Sequence, residues 1–164
     1  MTDRAPSPLI VALFQPDIPH NTGALLRMGA CLGVAIHVIE PAGFDMSDKR
    51  LKRAGMDYLE LAALIRHPTL DAFLDWVTSE NRRLVLLTTK TEQDYLDFEF
   101  APTDVLLFGR ESSGAPDLLH KRADVRLTIP MMEGARSLNL ALSAALVTGE
   151  AIRQTGHQTQ PGSA

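Results

Sequence analysis

The sequence predicts an α/β fold in which a mostly parallel sheet is flanked by helices. Apolar runs such as Leu9–Phe14 are typical of strands that are buried on both faces of a parallel sheet. Other segments place their apolar residues at helical spacing, and the two kinds of segment alternate along the chain. Among the 164 residues we expect one domain over 9–153, after a flexible N-terminal stretch at 1–8.

The first elements form a strand, a helix and a second strand. A turn-rich stretch, Gln15–Asn21, follows the first strand, and helical spacing begins at Thr22. The helix is predicted over Thr22–Leu32 and ends at Gly33, because glycine readily adopts the left-handed conformation of a helix C-terminus. The next buried strand is Val34–Ile39.

The rest of the chain continues this alternation. Asp48–Arg53 is predicted as a short basic helix, and Leu59–Ile65 as a short strand or turn. Leu70–Thr78 has apolar residues at i, i+3, i+4 and i+7, which predicts a helix. The last helix is expected over Leu138–Arg153, and the polar tail Gln154–Ala164 is expected to be frayed or disordered. The remaining strands are predicted at Arg83–Thr88, Asp104–Phe108 and Val125–Ile129.

Composition narrows the class of protein. The net charge of −4 does not indicate nucleic-acid binding by the whole surface, so an RNA-binding protein would need a local basic patch. The single cysteine, Cys31, excludes an internal disulfide, and the scattered histidines give no metal site, so we expect no metal. The sequence shows no signal peptide and no membrane-spanning stretch, which predicts a cytoplasmic protein.

Polar residues and glycines concentrate in three loops that follow strands, and ligands of open α/β sheets bind beyond the carboxyl ends of strands. In the first loop, Asn21 or Thr22 is a candidate helix cap, and Gly23 permits close backbone approach. Arg27 lies about one turn further along, where its guanidinium can return to the strand-end cleft and grip a phosphate. The alternative is a plain helix cap with a surface arginine.

The second loop is Phe108–Pro116, in which Gly109 and Gly114 permit a turn whose backbone groups face a ligand. Glu111 either orients a substrate hydroxyl or a neighbouring polar side chain, or caps a helix that starts near Pro116.

The third loop, Ile129–Leu140, brings Arg136, Ser137 and Asn139 to the start of an apolar helix. Ser137 is a good candidate for the N-cap. Asn139 is harder to explain by capping alone, and such an asparagine is either half-exposed or committed to a specific hydrogen bond. The loops contain none of the common nucleotide-binding or hydrolase fingerprints.

Taken together, the three loops resemble the three motifs of the SPOUT class of tRNA and rRNA ribose methyltransferases. The matching stretches are Asn21-Thr22-Gly23 with Arg27, Phe108-Gly109-Arg110-Glu111 with Gly114 and Pro116, and Ile129-Pro130-Met131 with Arg136-Ser137-Leu138-Asn139-Leu140. They occur in the family's order, and the resemblance extends over Leu9–Arg153.

Two further stretches, Ile39-Glu40-Pro41 with Gly43-Phe44 and Asp48–Tyr58, look like the minimal single-domain members of that class. Those members methylate the ribose 2′-hydroxyl of cytidine or uridine at position 34, the wobble position of tRNA anticodons. The local basic patch that RNA binding requires would then consist of Lys49, Arg50, Lys52 and Arg53. A solvated helix face is the alternative for these charges.

The resemblance implies a deep trefoil knot near the C-terminus and a homodimer in which Arg27 of one subunit reaches the methyl-donor site of the other. It implies S-adenosyl-L-methionine as the donor and the anticodon stem-loop of tRNA as the partner. The positions that it assigns to donor binding are Leu87, Thr88, Gly109, Ile129, Met131, Ser137 and Leu138.

The residues that it assigns to catalysis are Arg27, Asn21, Glu111, Ser137 and Asn139. The family gives the removal of the ribose proton to the arginine. Because arginine stays protonated in proteins, we expect Arg27 to act as a clamp on phosphate and on the transition state. Two departures from the family, Ala141-Leu142 and Gly149, concern the dimer contact and the fine choice of substrate. The alternative functions are methylation of another tRNA or rRNA position, and RNA binding without catalysis.

Overall fold

The computed structural model describes residues 8–47, 49–55, 58 and 62–156. Its six strands form one sheet in the order β3-β2-β1-β5-β4-β6, and every neighbouring pair is parallel. The strands are β1 Ile10–Phe14, β2 Ala35–Ile39, β3 Leu64–His67, β4 Leu84–Leu87, β5 Val105–Phe108 and β6 Val125–Leu127. The predicted α/β fold with a mostly parallel sheet is therefore confirmed.

Helices cover both faces of this sheet. The helices are α1 Pro19–Leu32, α2 Lys49–Gly55, α3 Leu70–Ser79, α4 Asp117–Arg122 and α5 Leu140–Thr155. A single turn of 3-10 helix occurs at Tyr95–Asp97. No helix in the described ranges combines the length and the apolar composition that a bilayer crossing requires.

The alternation of side chains along each strand explains the unbroken apolar runs in the sequence. In β1 and the residue before it, Leu9, Val11 and Leu13 pack with α1, α2 and α5, whereas Ile10 and Ala12 pack with α3 and α4. Both faces of the strand are thus buried, so both must be apolar.

Helix α1 begins at Pro19, three residues before the predicted start at Thr22. Its N-cap residue is Ile18, so the prediction that Asn21 or Thr22 caps the helix was wrong. Proline suits the first turn because it has no N–H to satisfy there. The helix ends as predicted at Gly33, whose φ of 68° is left-handed.

Helix α5 begins at Leu140, and its N-cap is Asn139. The prediction that Ser137 is the N-cap was therefore wrong. Asn139 caps the helix and its amide also donates to Asn21 Oδ1, so the specific hydrogen bond that the sequence suggested for Asn139 is confirmed. The helix continues to Thr155, two residues into the segment predicted as a frayed tail. Gln154 lies in its last turn, where the side chain accepts from the N–H of Phe100 (2.8 Å). Residues 157–164 of the predicted tail lie outside the described residues.

Strand β3 occupies Leu64–His67, at the end of and beyond the stretch predicted as a strand or turn. The backbone ladder sets this position, because the N–H of Glu40 donates to the carbonyl of His67 at 2.9 Å. Residues 59–61 of the prediction and Asp48 of the predicted basic helix lie outside the described residues.

Candidate active site

A cavity of about 560 Å³ opens beyond the carboxyl ends of β4, β5 and β6. Pockets for small molecules and cofactors span roughly 300–1,000 Å³, so this one has room for a nucleoside-sized ligand. The three loops that follow β1, β5 and β6 all contribute to its wall. Parallel strands end at the same edge of a sheet, which is why loops far apart in sequence meet here.

Most of the residues singled out in the sequence lie in this wall. Every predicted donor-binding residue and four of the five predicted catalytic residues line the cavity, namely Asn21, Leu87, Thr88, Gly109, Glu111, Ile129, Met131, Ser137, Leu138 and Asn139. The predicted RNA-binding residues and Arg27 do not. For Arg27, the resemblance implied a role at the donor site of a partner subunit, and that role stays a prediction.

Asn21 and Asn139 join the first helix to the last one at the cavity wall. The Asn139 amide Nδ2 donates to Asn21 Oδ1 at 3.0 Å. Asn139 Oδ1 accepts from the N–H groups of Ala141 (2.8 Å) and Leu142 (3.3 Å), which caps α5. Asn21 is buried, and its amide group is thereby oriented by a residue 118 positions away. One asparagine thus caps a helix and positions a second polar side chain.

Glu111 stabilises the start of α1. Its carboxylate accepts from the backbone N–H of Asp17 at 2.8 Å and of Ile18 at 3.3 Å. A carboxylate at a helix N-terminus also interacts favourably with the helix dipole. The prediction that Glu111 caps the helix near Pro116 was wrong about which helix it serves, since the loop folds back towards β1.

An ion pair between Asp17 and Arg110 fastens the same two loops. Arg110 binds Asp17 through Nε and Nη2, and the N–H of Ser112 donates to the other oxygen of Asp17 at 3.1 Å. Hydrogen bonds from Arg110, and then from Ser112, lower the pKa of Asp17 to about 2, against the opposing effect of burial. Sequence reasoning missed this pair because it depends on β1 and β5 being neighbours.

The turn at Gly109–Gly114 is too tight for a larger residue at its first position. A Cβ on Gly109 would lie 2.4 Å from both the carbonyl carbon of Gly114 and the nitrogen of Ala115. Arg110 and Gly114 exchange backbone hydrogen bonds of 3.1 and 2.9 Å across the turn. The glycine expected from the motif is therefore required by close backbone contact.

The cavity wall also contains side chains that were not predicted as site residues, among them Lys90, Arg110 and His120. His120 Nε2 lies 2.8 Å from the hydroxyl oxygen of Thr88. Lys90 and Arg136 bring positive charge to the wall, whereas the charge of Arg110 is paired with Asp17. Nowhere in the described ranges do three His, Cys, Asp or Glu side chains cluster closely enough to hold a metal ion.

Arg27 lies on an exposed surface of α1. Its guanidinium carbon is 4.9 Å from the centre of the Tyr58 ring, a cation–π contact. Six residues separate it from Asn21, which corresponds to about 9 Å along a helix. The expected return of Arg27 to the cleft of its own chain is therefore not what the structure shows.

Helix α2 packs against α1 and presents its cations outwards. Leu51 is buried in the core, whereas Lys49, Lys52 and Arg53 are exposed. Tyr58, the ring beneath Arg27, follows α2 closely in sequence. Because α1 packs against α2 and their cations are exposed, we refer to Arg27, Lys49, Arg50, Lys52 and Arg53 together as the α1–α2 surface.

The sequence is similar to those of known RNA methyltransferases. Residues 8–149 match the SpoU rRNA Methylase family. A tRNA (cytidine(34)-2'-O)-methyltransferase of Beijerinckia indica subsp. indica is 55% identical over 147 residues, which cover 90% of this chain and 92% of the relative. One of the same name from Ancylobacter novellus is 51% identical, with 94% of this chain and 98% of the relative covered.

Two solved structures connected with methylation are also similar to this chain. A structure concerned with the 2-OH methylation of C/U34 on tRNA superposes with a TM-score of 0.85 at 39% identity, covering 89% of this chain and 95% of that one. The SpoU methyltransferase AviRb from Streptomyces viridochromogenes, in complex with the cofactor AdoMet, superposes with a TM-score of 0.83 at 28% identity. That match covers 93% of this chain and 62% of the other.

Proposed function

Because the chain belongs to the SpoU rRNA methylase family, we propose that it methylates the ribose 2′-hydroxyl of cytidine or uridine 34 in tRNA. The observation that carries the proposal is the meeting of the three motif loops around one cavity. Relatives named for this reaction match more than nine-tenths of their own length, so the likeness extends over the whole domain. A tRNA substrate also fits a cytoplasmic location.

The proposed methyl donor is S-adenosyl-L-methionine, and the cavity suits it in size and in chemistry. Its wall combines apolar side chains such as Leu87 and Ile129 with the tight backbone turn at Gly109. Such a wall can pack against an adenine ring while main-chain groups supply hydrogen bonds. When bound, the donor supplies a methyl group on a sulfonium centre. Leu87, Thr88, Gly109, Ile129, Met131, Ser137 and Leu138 would hold it.

The chain's own part in the reaction is positioning and charge. Asn139 fixes Asn21 at the cavity wall, and Glu111 fixes the start of the helix that contains Asn21. Groups held in this way lower the barrier by pre-arranging the ribose and the donor. Arg27 remains protonated and would bind a phosphate of the RNA next to the reacting nucleotide.

We further propose a homodimer, in which Arg27 of one subunit completes the cavity of the other. Arg27 does not line the cavity of its own chain. In a dimer, Arg27 of the second chain would supply the arginine at this cavity. Helix α5 exposes an apolar face for such a contact: Leu142 is 59% exposed and Leu146 is 47% exposed, with Ala145 and Gly149 between and beyond them. The departures noted at Leu142 and Gly149 therefore fall on this face.

The C-terminal knot also remains a proposal. Strand β6 lies at the sheet edge beside β4, yet the helix that follows it packs against α1, next to the central strands. The chain between them must cross the carboxyl ends of β4 and β5, where a knotted segment would run. This route supports the knot.

The function is tested by incubating the purified protein with tRNA and labelled S-adenosyl-L-methionine and mapping ribose methylation by mass spectrometry. We expect one methyl group on the ribose at position 34. A matched tRNA with a 2′-deoxynucleotide at that position should accept none. Methylation at another tRNA position or only on rRNA would overturn the substrate, and no transfer to any RNA would overturn the activity.

A further inference from the structure

His120 stands in the cavity wall and makes two hydrogen bonds with its ring. It belongs to α4, which follows the Gly109–Pro116 loop. Its Nδ1 lies 3.1 Å from the carbonyl oxygen of Pro116, and its Nε2 lies 2.8 Å from Thr88 Oγ1. Thr88 directly follows β4. The ring therefore links the loop after β4 to the loop after β5, which are two walls of the same cavity.

The partners of the ring fix the direction of these bonds. A carbonyl oxygen only accepts, so Nδ1 carries the proton and donates to Pro116. In the neutral imidazole Nε2 is then an acceptor, and the Thr88 hydroxyl donates its proton to it. Thr88 Oγ1 also accepts from the N–H of Lys90 at 3.1 Å. Its hydrogen and one lone pair are thus engaged, and one lone pair has no partner among the described residues.

We propose that His120 is a positioning residue of the methyl-donor site, and that it makes the Thr88 hydroxyl an acceptor towards the cavity. An acceptor there would recognise a hydroxyl or amino group of the donor's nucleoside part. This inference rests on the proposed function, since it specifies how the same cavity holds the methyl donor. Residues that orient a ligand-binding group through a second hydrogen bond commonly decide how well that group binds.

A purely local explanation for His120 is incomplete. A basic residue in the last turn of a helix is favourable by itself, and Lys121 and Arg122 of the same turn are exposed in just that role. His120 differs because its ring is turned inwards, where it contacts a residue 32 positions earlier in the chain. The helix-end effect accounts for none of that contact.

The test uses three variants of the full-length protein and binding of S-adenosyl-L-methionine measured by titration calorimetry. His120→Asn keeps the donor towards Pro116 but is too short to reach Thr88. His120→Gln places an amide oxygen near the position of Nε2, and Thr88→Val removes only the hydroxyl. We expect about 5- to 10-fold weaker binding for His120→Asn and Thr88→Val, the size of one lost hydrogen bond, and recovery to within about twofold for His120→Gln.

Three further tests separate positioning from a general loss of structure. Lys121→Asn, an exposed change on the same helix, should leave binding unaltered. In methyl transfer, His120→Asn should raise the KM for S-adenosyl-L-methionine by the same factor and leave kcat within about twofold. The double variant with Thr88→Val should be no weaker than either single variant, because both remove the same bond.

Wild-type affinity in His120→Asn, or fully additive losses in the double variant, would overturn the role of His120. If His120→Asn does not fold, the other two variants test the proposal: Thr88→Val should bind S-adenosyl-L-methionine more weakly, and His120→Gln should bind it within about twofold of the wild type. Failure of the wild-type protein itself to bind S-adenosyl-L-methionine would overturn the proposed function.

Discussion

The cavity and the α1–α2 surface differ in how their polar residues are held. Around the cavity, Asp17, Glu111 and Asn139 each form hydrogen bonds with backbone or side-chain groups that lie far away in sequence. On the α1–α2 surface, Arg27 is exposed and rests on a single aromatic ring. A rigid cavity suits a small ligand of fixed shape, whereas exposed cations suit a flexible polyanion that supplies its own contacts.

The same difference bears on assembly. Each cavity-lining asparagine and glutamate is positioned by its own chain, so donor binding requires no second subunit. Arg27 lies outside that wall, so under the proposed mechanism methyl transfer requires a second subunit. Binding of the donor and catalysis should therefore respond differently to changes in the two regions.

The largest expected effect comes from Arg27→Ala. Loss of a charged group that acts only on RNA and on the transition state should reduce kcat by about 10²–10³-fold. Affinity for S-adenosyl-L-methionine should stay within about twofold, since Arg27 does not line the cavity. Single-turnover assays and calorimetry measure the two quantities. Normal turnover would remove Arg27 from the mechanism.

Mixing two defective variants sharpens the comparison. Asn139→Ala damages the cavity, and Arg27→Ala damages the α1–α2 surface, so a mixed dimer would contain one site with both defects and one intact site. After subunit exchange at equal amounts, we expect about a quarter of wild-type activity, because half of the dimers are mixed. Arg27→Gln mixed with Arg27→Ala is the control and should not recover, because both variants lack the charge at this position. Absence of recovery with the first pair would show that Arg27 acts within its own chain.

A smaller effect is expected from the cations of α2. Replacing Lys49, Lys52 and Arg53 by Ala removes three exposed charges and should weaken tRNA binding about 10- to 100-fold at low salt. The slope of log affinity against log salt should become shallower by about 2. The matched control replaces Lys121 and Arg122, which are exposed cations on α4. Equal slopes in all three proteins would mean that α2 is only a solvated face.

The smallest effect concerns a buried histidine pair on the face of the sheet that α3 covers. His37 Nδ1 and His67 Nε2 are 2.8 Å apart beside Trp76. Burial, and then the charges of His67 and Arg82, lower the pKa of His37 from 6.5 to about 4. Below pH 6.5 the unfolded chain binds more protons than the folded one, so the free energy of unfolding falls as the pH falls.

This loss should occur between about pH 6.5 and 4 and amount to roughly 2 kcal/mol. Urea denaturation of the wild type and of His37→Gln at pH 7 and pH 4.5 measures it. The wild type should lose more stability than the variant over that interval. Equal losses would mean that His37 does not titrate differently in the folded and unfolded states.

Much of the fold follows from periodicity that the sequence displays directly. The unbroken apolar runs predicted five of the six strands to within a few residues, all except β3, because burial on both faces leaves no polar position in a strand. Gly33 at the end of α1 was also predictable, since a left-handed residue is a local requirement. The starts of α1 and α5 were not predictable. The backbone N–H groups before α1 depend on Glu111 as their acceptor, and those of α5 could have been capped by either Ser137 or Asn139.

The sequence by itself determined the elements, the three motif loops and the family that they resemble. Only the tertiary structure decided that Glu111 serves α1, that His120 orients Thr88, and that Arg27 lies outside the cavity of its own chain. The physical reason is the order of the strands. Periodicity along the chain shows that a segment is a buried strand. Packing of the whole sheet decides which strands become its neighbours, and therefore which loops meet.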